Sequence, residues 1–220
     1  MSPATHIPTA PTAAPPPTRP LPSAERFVLP HCSWAGYEAM LREVGDDRVR
    51  LTYDHGVLEL RLPSAPHEQF AELLAMLVRV LAEELSMPFR SGGSTTFRSE
   101  PRQRGLEPDR CFWFRAGGLM ESPAPPPDLA VEIDITSSLL DRMGIYADLG
   151  VREIWRFDGE SLTFHALCDA GYALVERSAR FPELAPADLL PFVARYREAD
   201  ELTVIREFRA FVRRRLAGQP

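Results

Sequence analysis

The sequence predicts a mixed α/β fold in which a central mixed sheet is flanked by helices. Three observations predict it. Helical and strand-like apolar periodicities alternate along the chain. A long segment from Pro66 to Ser86 repeats Phe70, Leu73, Leu74, Leu77, Val80 and Leu81 at three- and four-residue steps, which is one buried helix face. Short runs such as PDRCFWFR, DLAVEIDI and EIWRFDG have strand length and strand composition.

The elements follow in order. Residues 1–24 are dominated by proline, alanine and threonine, which cannot bury a core, so a disordered Pro-rich tail is expected there. Residues 25–220 are expected to form a single domain. Ser33 can cap a short helix through SWAGYEAMLREVG, which Gly45 stops. RVRLTYDHGVLELRLPS alternates apolar and polar residues around Asp54-His55-Gly56, a hairpin signal. After the long helix come the strand-like runs FRSGGSTTFRS, PDRCFWFR and DLAVEIDI. A helix over LLDRMGIYADLG ends on Gly150. EIWRFDG, SLTFHAL and GYALVERS read as strands, and APADLLPFVARY and DELTVIREFRAFVRRRL as C-terminal helices.

Composition narrows the function classes. The net charge of −6 argues against a general, salt-driven nucleic-acid binder, though not against an enzyme with locally clustered cations. The chain has no lysine, so all 25 basic residues are arginine. The three cysteines are far apart and make no zinc motif, so they read as reduced thiols in a cytoplasmic protein. No apolar run reaches the roughly 18–20 residues of a membrane span.

The chemistry concentrates in Val131-Glu132-Ile133-Asp134-Ile135. Alternation along a strand puts Glu132 and Asp134 on one face and the three aliphatics on the other. Two carboxylates on a central strand need a cation, either a basic side chain or a metal. Asp109, in Glu107-Pro108-Asp109, stands at the entrance of the CFWF strand. If the two strands pair, several hard oxygen donors converge, a set suited to magnesium or manganese. The blander reading makes Asp109 a turn residue and Glu132 and Asp134 a solvent face. Arg90, Arg98, Arg102, Arg104, Arg110 and Arg115 offer a phosphate track, while the interleaved Phe97, Phe112, Trp113 and Phe114 read as core.

In order and spacing, DHGVLEL, PSAPHE, GGSTTFR, EPD, PPDLAVEIDI and DRMGIYADLGVREIWRFDG resemble the Uma ("Uma two") family of proposed restriction endonucleases. That family looks like part of the PD-(D/E)-x-K nuclease superfamily, with a restriction-endonuclease-like fold. The resemblance implies that Asp109 is the first acid and Glu132 the second, with Glu68 at the start of the long helix joining them as a metal ligand. Its neighbour His67 could approach the same pocket, but reads rather as a surface residue at a helix start. Asp134 stands where the superfamily has lysine, and would be a further ligand or a charge partner. The family carries its lysine on the next helix, four residues before a tyrosine, and that position is Arg142. Arg142 could supply positive charge beside a scissile phosphate or form an ordinary salt bridge to Glu132 or Asp134, and it cannot act as a general base. The implied activity is Mg²⁺- or Mn²⁺-dependent hydrolysis of DNA, with a catalytically degenerate binding or regulatory module as the alternative. A homodimer would suit cutting both strands of a duplex.

Overall fold

The computed structural model describes residues 25–45, 49–93, 95–118, 123–135 and 138–218. The expected Pro-rich tail, 1–24, lies outside them.

Eleven described strands form two sheets rather than one. The first sheet is built on the predicted hairpin. β2 (Arg50–Asp54) and β3 (Val57–Leu62) pair antiparallel around His55 and Gly56, both at positive φ, as a two-residue hairpin turn requires. β1 (Glu25–Leu29) pairs with β3 at one edge. β6 (Arg104–Leu106) pairs with β2, and β5 (Phe97–Ser99) pairs with β6, giving the order β1-β3-β2-β6-β5. α1 (Trp34–Val44), capped by Ser33, packs Tyr37 against Leu51, Tyr53 and Leu58 of this sheet.

The second sheet has the order β11-β10-β9-β8-β7-β4. Its members are β4 (Arg90–Gly92), β7 (Arg110–Trp113), β8 (Leu129–Ile133), β9 (Glu153–Phe157), β10 (Leu162–Cys168) and β11 (Gly171–Val175). β8 and β9 pair parallel, and every other pairing is antiparallel, so the sheet is mixed. FRSGGSTTFRS, expected as one strand-like run, contributes β4 to this sheet and β5 to the other.

Helices cover both faces of the second sheet. α2 (Ala65–Glu84), α4 (Pro186–Arg195) and α5 (Glu201–Leu216) bury one face with Leu129, Val131, Ile133, Trp155 and Phe157. α3 (Arg142–Leu149) lies on the opposite face with Ala130 and Ile154. Alternation along β8 therefore turns Glu132, like Ala130, toward α3. Among the described residues no helix is long and apolar enough to cross a membrane.

Candidate active site

β7 and β8 bring Asp109 and Glu132 together. Their last paired residues are Arg110 and Val131, so one further step sets Asp109 beside Glu132. Asp109 is 1% exposed. Its Oδ2 accepts the Ile133 N–H at 2.8 Å, and its Oδ1 accepts from Arg61 Nη2 at 2.9 Å. His67 Nε2 lies 3.2 Å from Oδ2. Burial alone would raise the Asp109 carboxyl. Arg61, His67 and the Ile133 N–H outweigh it and hold the carboxyl well below the usual carboxylate range.

Glu132 is also buried. Arg142 Nη2 and the Tyr146 hydroxyl both donate to its Oε1, the arginine at 2.8 Å. Both donors come from α3, one helical turn apart, which is the physical meaning of the four-residue spacing between them. Burial would lower the Arg142 pKa, but the Glu132 charge wins and raises it. Burial and then Glu132 push the Tyr146 phenol well above its ordinary value, so it stays protonated and donates. Arg142 also donates to the Glu107 carbonyl at 3.2 Å, which ties the E-P-D turn to α3.

Asp134 ends on a third arginine. β9 runs parallel to β8 with Arg156 opposite Glu132, and Arg156 donates to Asp134. Glu132, Asp134, Arg142, Tyr146 and Arg156 share a cleft of about 240 Å³. Ser138 helps to line it, and Glu59 of β3 fixes that wall. The Glu59 carboxylate accepts from the Ser138 hydroxyl at 3.0 Å and the Leu139 N–H at 3.3 Å.

Glu68 stands apart from this arrangement. Its side chain is 38% exposed and pairs with Arg50 at 3.4 Å and Arg110 at 3.5 Å. The α2 residue that reaches Asp109 is its neighbour, and His67, expected at the surface, is 2% exposed. The reason is angular. The buried stripe of α2 runs through His67, Phe70, Ala71 and Leu74, and Glu68 lies about 100° around the helix from His67.

The expected phosphate track is largely taken up in the fold. Arg98 pairs with Glu38, Arg104 with Asp54 and Asp148, and Arg110 with Glu68 and Glu72. Arg90 donates to the Gly118 carbonyl. Phe97, Phe112 and Trp113 are buried, as core residues should be.

These carboxylates, as arranged, do not fit a divalent ion. Asp109, Glu132 and Asp134 each face a guanidinium. Arg61 Nε and Arg142 Nε are buried without a hydrogen-bond partner, and unsatisfied donors call for an acceptor rather than a cation. Among the described residues no group of three or more His, Cys, Asp or Glu side chains could hold a metal.

Sequence reasoning passed over Arg61, Arg156 and Glu59 and set His67 at the surface. Arg61 and Glu59 carried a signal, since both lie on the polar side of the alternating Leu58-Glu59-Leu60-Arg61-Leu62 run.

Asp109 and Glu132 thus stand on neighbouring strands, with Arg142 and Tyr146 of the next helix bonded to Glu132. The chain belongs to the Uma2 family, described as "Putative restriction endonuclease", whose model matches residues 34–203. Among solved structures it is similar to a chain described as a putative nuclease belonging to DUF820 from Anabaena variabilis ATCC 29413. That match has 14% identity and a TM-score of 0.45, and covers 64% of this chain and 89% of the other. No curated protein matches the chain.

Proposed function

We propose that the protein is a cytoplasmic endonuclease directed at the phosphodiester backbone of DNA. The observation that carries this reading is the convergence of Asp109 and Glu132 about Ile133, with Arg142 bonded to Glu132. Membership in a family described as restriction endonucleases supports the same substrate class. Mg²⁺ or Mn²⁺ is the cofactor that such acids would take, and in the arrangement described the arginines hold those oxygens.

The chain's own groups can do the following. Arg142 and Arg156 can each exchange a carboxylate partner for a phosphate oxygen entering the cleft, since guanidinium–phosphate bonds are charge-assisted and directional. Arg142 and Tyr146 hold Glu132 in one orientation, and neither can take a proton from water near neutral pH. The proton acceptors lining the cleft are carboxylates, Glu132, Asp134 and Asp141, of which Asp141 is committed to capping α3.

Supercoiled plasmid with Mg²⁺ or Mn²⁺ tests the proposal. Nicking is expected, and Asp109→Ala or Glu132→Ala should abolish it. A purified protein that never nicks, or one that nicks equally well as the double variant, would sink it. A second reading, a DNA-binding or regulatory module without turnover, is favoured by one observation: each acid ends on an arginine. It expects a DNA mobility shift with no cleavage under the same conditions. A homodimer, with one site for each strand, is the assembly proposed with the endonuclease reading, and analytical ultracentrifugation decides it.

A further inference from the structure

We propose that Arg61 is a built-in counter-ion that occupies the cation position of Asp109, so that divalent-ion binding at this site is limited by competition with the protein's own side chain. The proposal rests on the reading of Asp109 as a nuclease-family acid, and it concerns ion binding rather than turnover.

Four observations carry it. The Arg61 guanidinium bridges Asp109 Oδ1 and the Ile133 carbonyl, at 2.9 and 3.4 Å, and so sits between β3 and β8 where the acids meet. Arg61 is 4% exposed, so its position is a packed one and not a surface accident. His67 faces the other carboxylate oxygen, at 3.2 Å, from the first turn of α2. A carboxylate offers about four lone-pair directions, and at Asp109 hydrogen bonds from Arg61 and the Ile133 N–H take one on each oxygen, with the His67 ring packed against Oδ2. A divalent ion at Asp109 either displaces the Arg61 guanidinium or meets it as a like charge within a few ångströms.

The same geometry gives the neighbouring Asp109 and Glu132 different surroundings. Asp109 is closed in by residues of β3 and α2, whereas Glu132 opens on the cleft beside α3. Arg61 thus guards one acid and Arg142 the other.

Calorimetric titration with Mn²⁺, with Mn²⁺ electron paramagnetic resonance as a second readout, tests the inference on the full chain. Arg61→Gln should bind Mn²⁺ about tenfold or more tightly than the unaltered protein, because one unit charge near the ion has gone. Adding Asp109→Asn to Arg61→Gln should erase that gain. Arg61→Gln binding no better than the unaltered protein, or a gain that survives Asp109→Asn, would overturn the proposal. Circular dichroism checks folding. If Arg61→Gln does not fold, Arg61→Met and Arg61→Lys carry the comparison. The first should tighten Mn²⁺ and the second, which keeps the charge, should not, and the opposite order would refute it. Plasmid nicking is read separately. Tight Mn²⁺ binding without nicking sinks the endonuclease reading and leaves this inference standing, while nicking with unchanged Mn²⁺ affinity does the reverse.

Discussion

Replacing Arg61 by methionine isolates the energetics of the Asp109 pair. The side chains are 5% and 1% exposed and meet at 2.9 Å, so solvent can hardly screen the charge left behind. Methionine keeps most of the stem volume and removes the guanidinium. Breaking a buried pair by deleting one partner costs about 3–5 kcal/mol, because the other charge stays buried without compensation. For a chain of this size each kcal/mol moves Tm by about 2–4 °C, so a fall of about 6–20 °C is expected at pH 7. Asp109→Asn added to Arg61→Met should recover about 2 kcal/mol, since the amide oxygen still accepts the Ile133 N–H while the stranded charge is gone. The pH dependence has a definite sign. The Asp109 carboxyl is held low in the folded protein, so its contribution is present above the unfolded carboxyl pKa of about 3.9 and is lost as pH falls through the lower folded value. The gap between Arg61→Met and the unaltered protein should therefore narrow in acid. Urea or thermal unfolding across pH 3–8 reads all three quantities. A change at pH 7 below about 1 kcal/mol, or a double variant no more stable than Arg61→Met, would refute the reasoning.

Three further outcomes follow from other contacts. Tyr146→Phe removes a charge-assisted hydrogen bond to buried Glu132 and should cost about 1.5–3 kcal/mol in urea unfolding, whereas a neutral result would show that the phenol does not hold the acid. Gly105→Ala would place a methyl group within 2.3 Å of the Tyr37 oxygen, between β6 and α1, and overpacking there should cost about 1–3 kcal/mol, again read by unfolding. Burial raises the Glu107 carboxyl against the pull of the Thr96 hydroxyl and the Leu51 N–H. Its folded form holds its proton more tightly than the unfolded chain does, so its contribution is present below the unfolded pKa of about 4.3 and is lost as pH rises through the folded value. Glu107→Gln should flatten that decline, and an unchanged slope would contradict it.

Local chemistry made much of this fold legible. Ser33 and Gly45 bracket α1, and Gly150 closes α3 in the left-handed conformation. His55-Gly56 turns the hairpin, and the alternation of V-E-I-D-I separates Leu129, Val131 and Ile133 from Glu132. What was hidden depends on long-range pairing. β6 has three residues, and its pairing between β2 and β5 is what makes it a strand. That same pairing draws β5 away from β4 and divides the strands between two sheets. In the site, the family spacing points to Asp109, Glu132 and Arg142, and the chain brings all three to one place. Arg61 is different. Alternation marks it as polar-facing, but a polar face is wet only if nothing is laid over it, and here Asp109 and β8 lie against it. The choice of His67 over Glu68 is a rotation of one helix position, which follows from the docking of α2 on the second sheet.

The attachment of Glu59 gives the cleft a mechanical property. The acids ride on the second sheet, while the cleft wall at Ser138 is fastened to β3 of the first through the Ser138 hydroxyl and the neighbouring Leu139 N–H. β3 therefore holds both sides, the wall through Glu59 and the acids through Arg61, which bonds to Asp109 and the Ile133 carbonyl. A ligand wedged in the cleft would transmit force to the hairpin, and a partner gripping the hairpin would be felt at the wall.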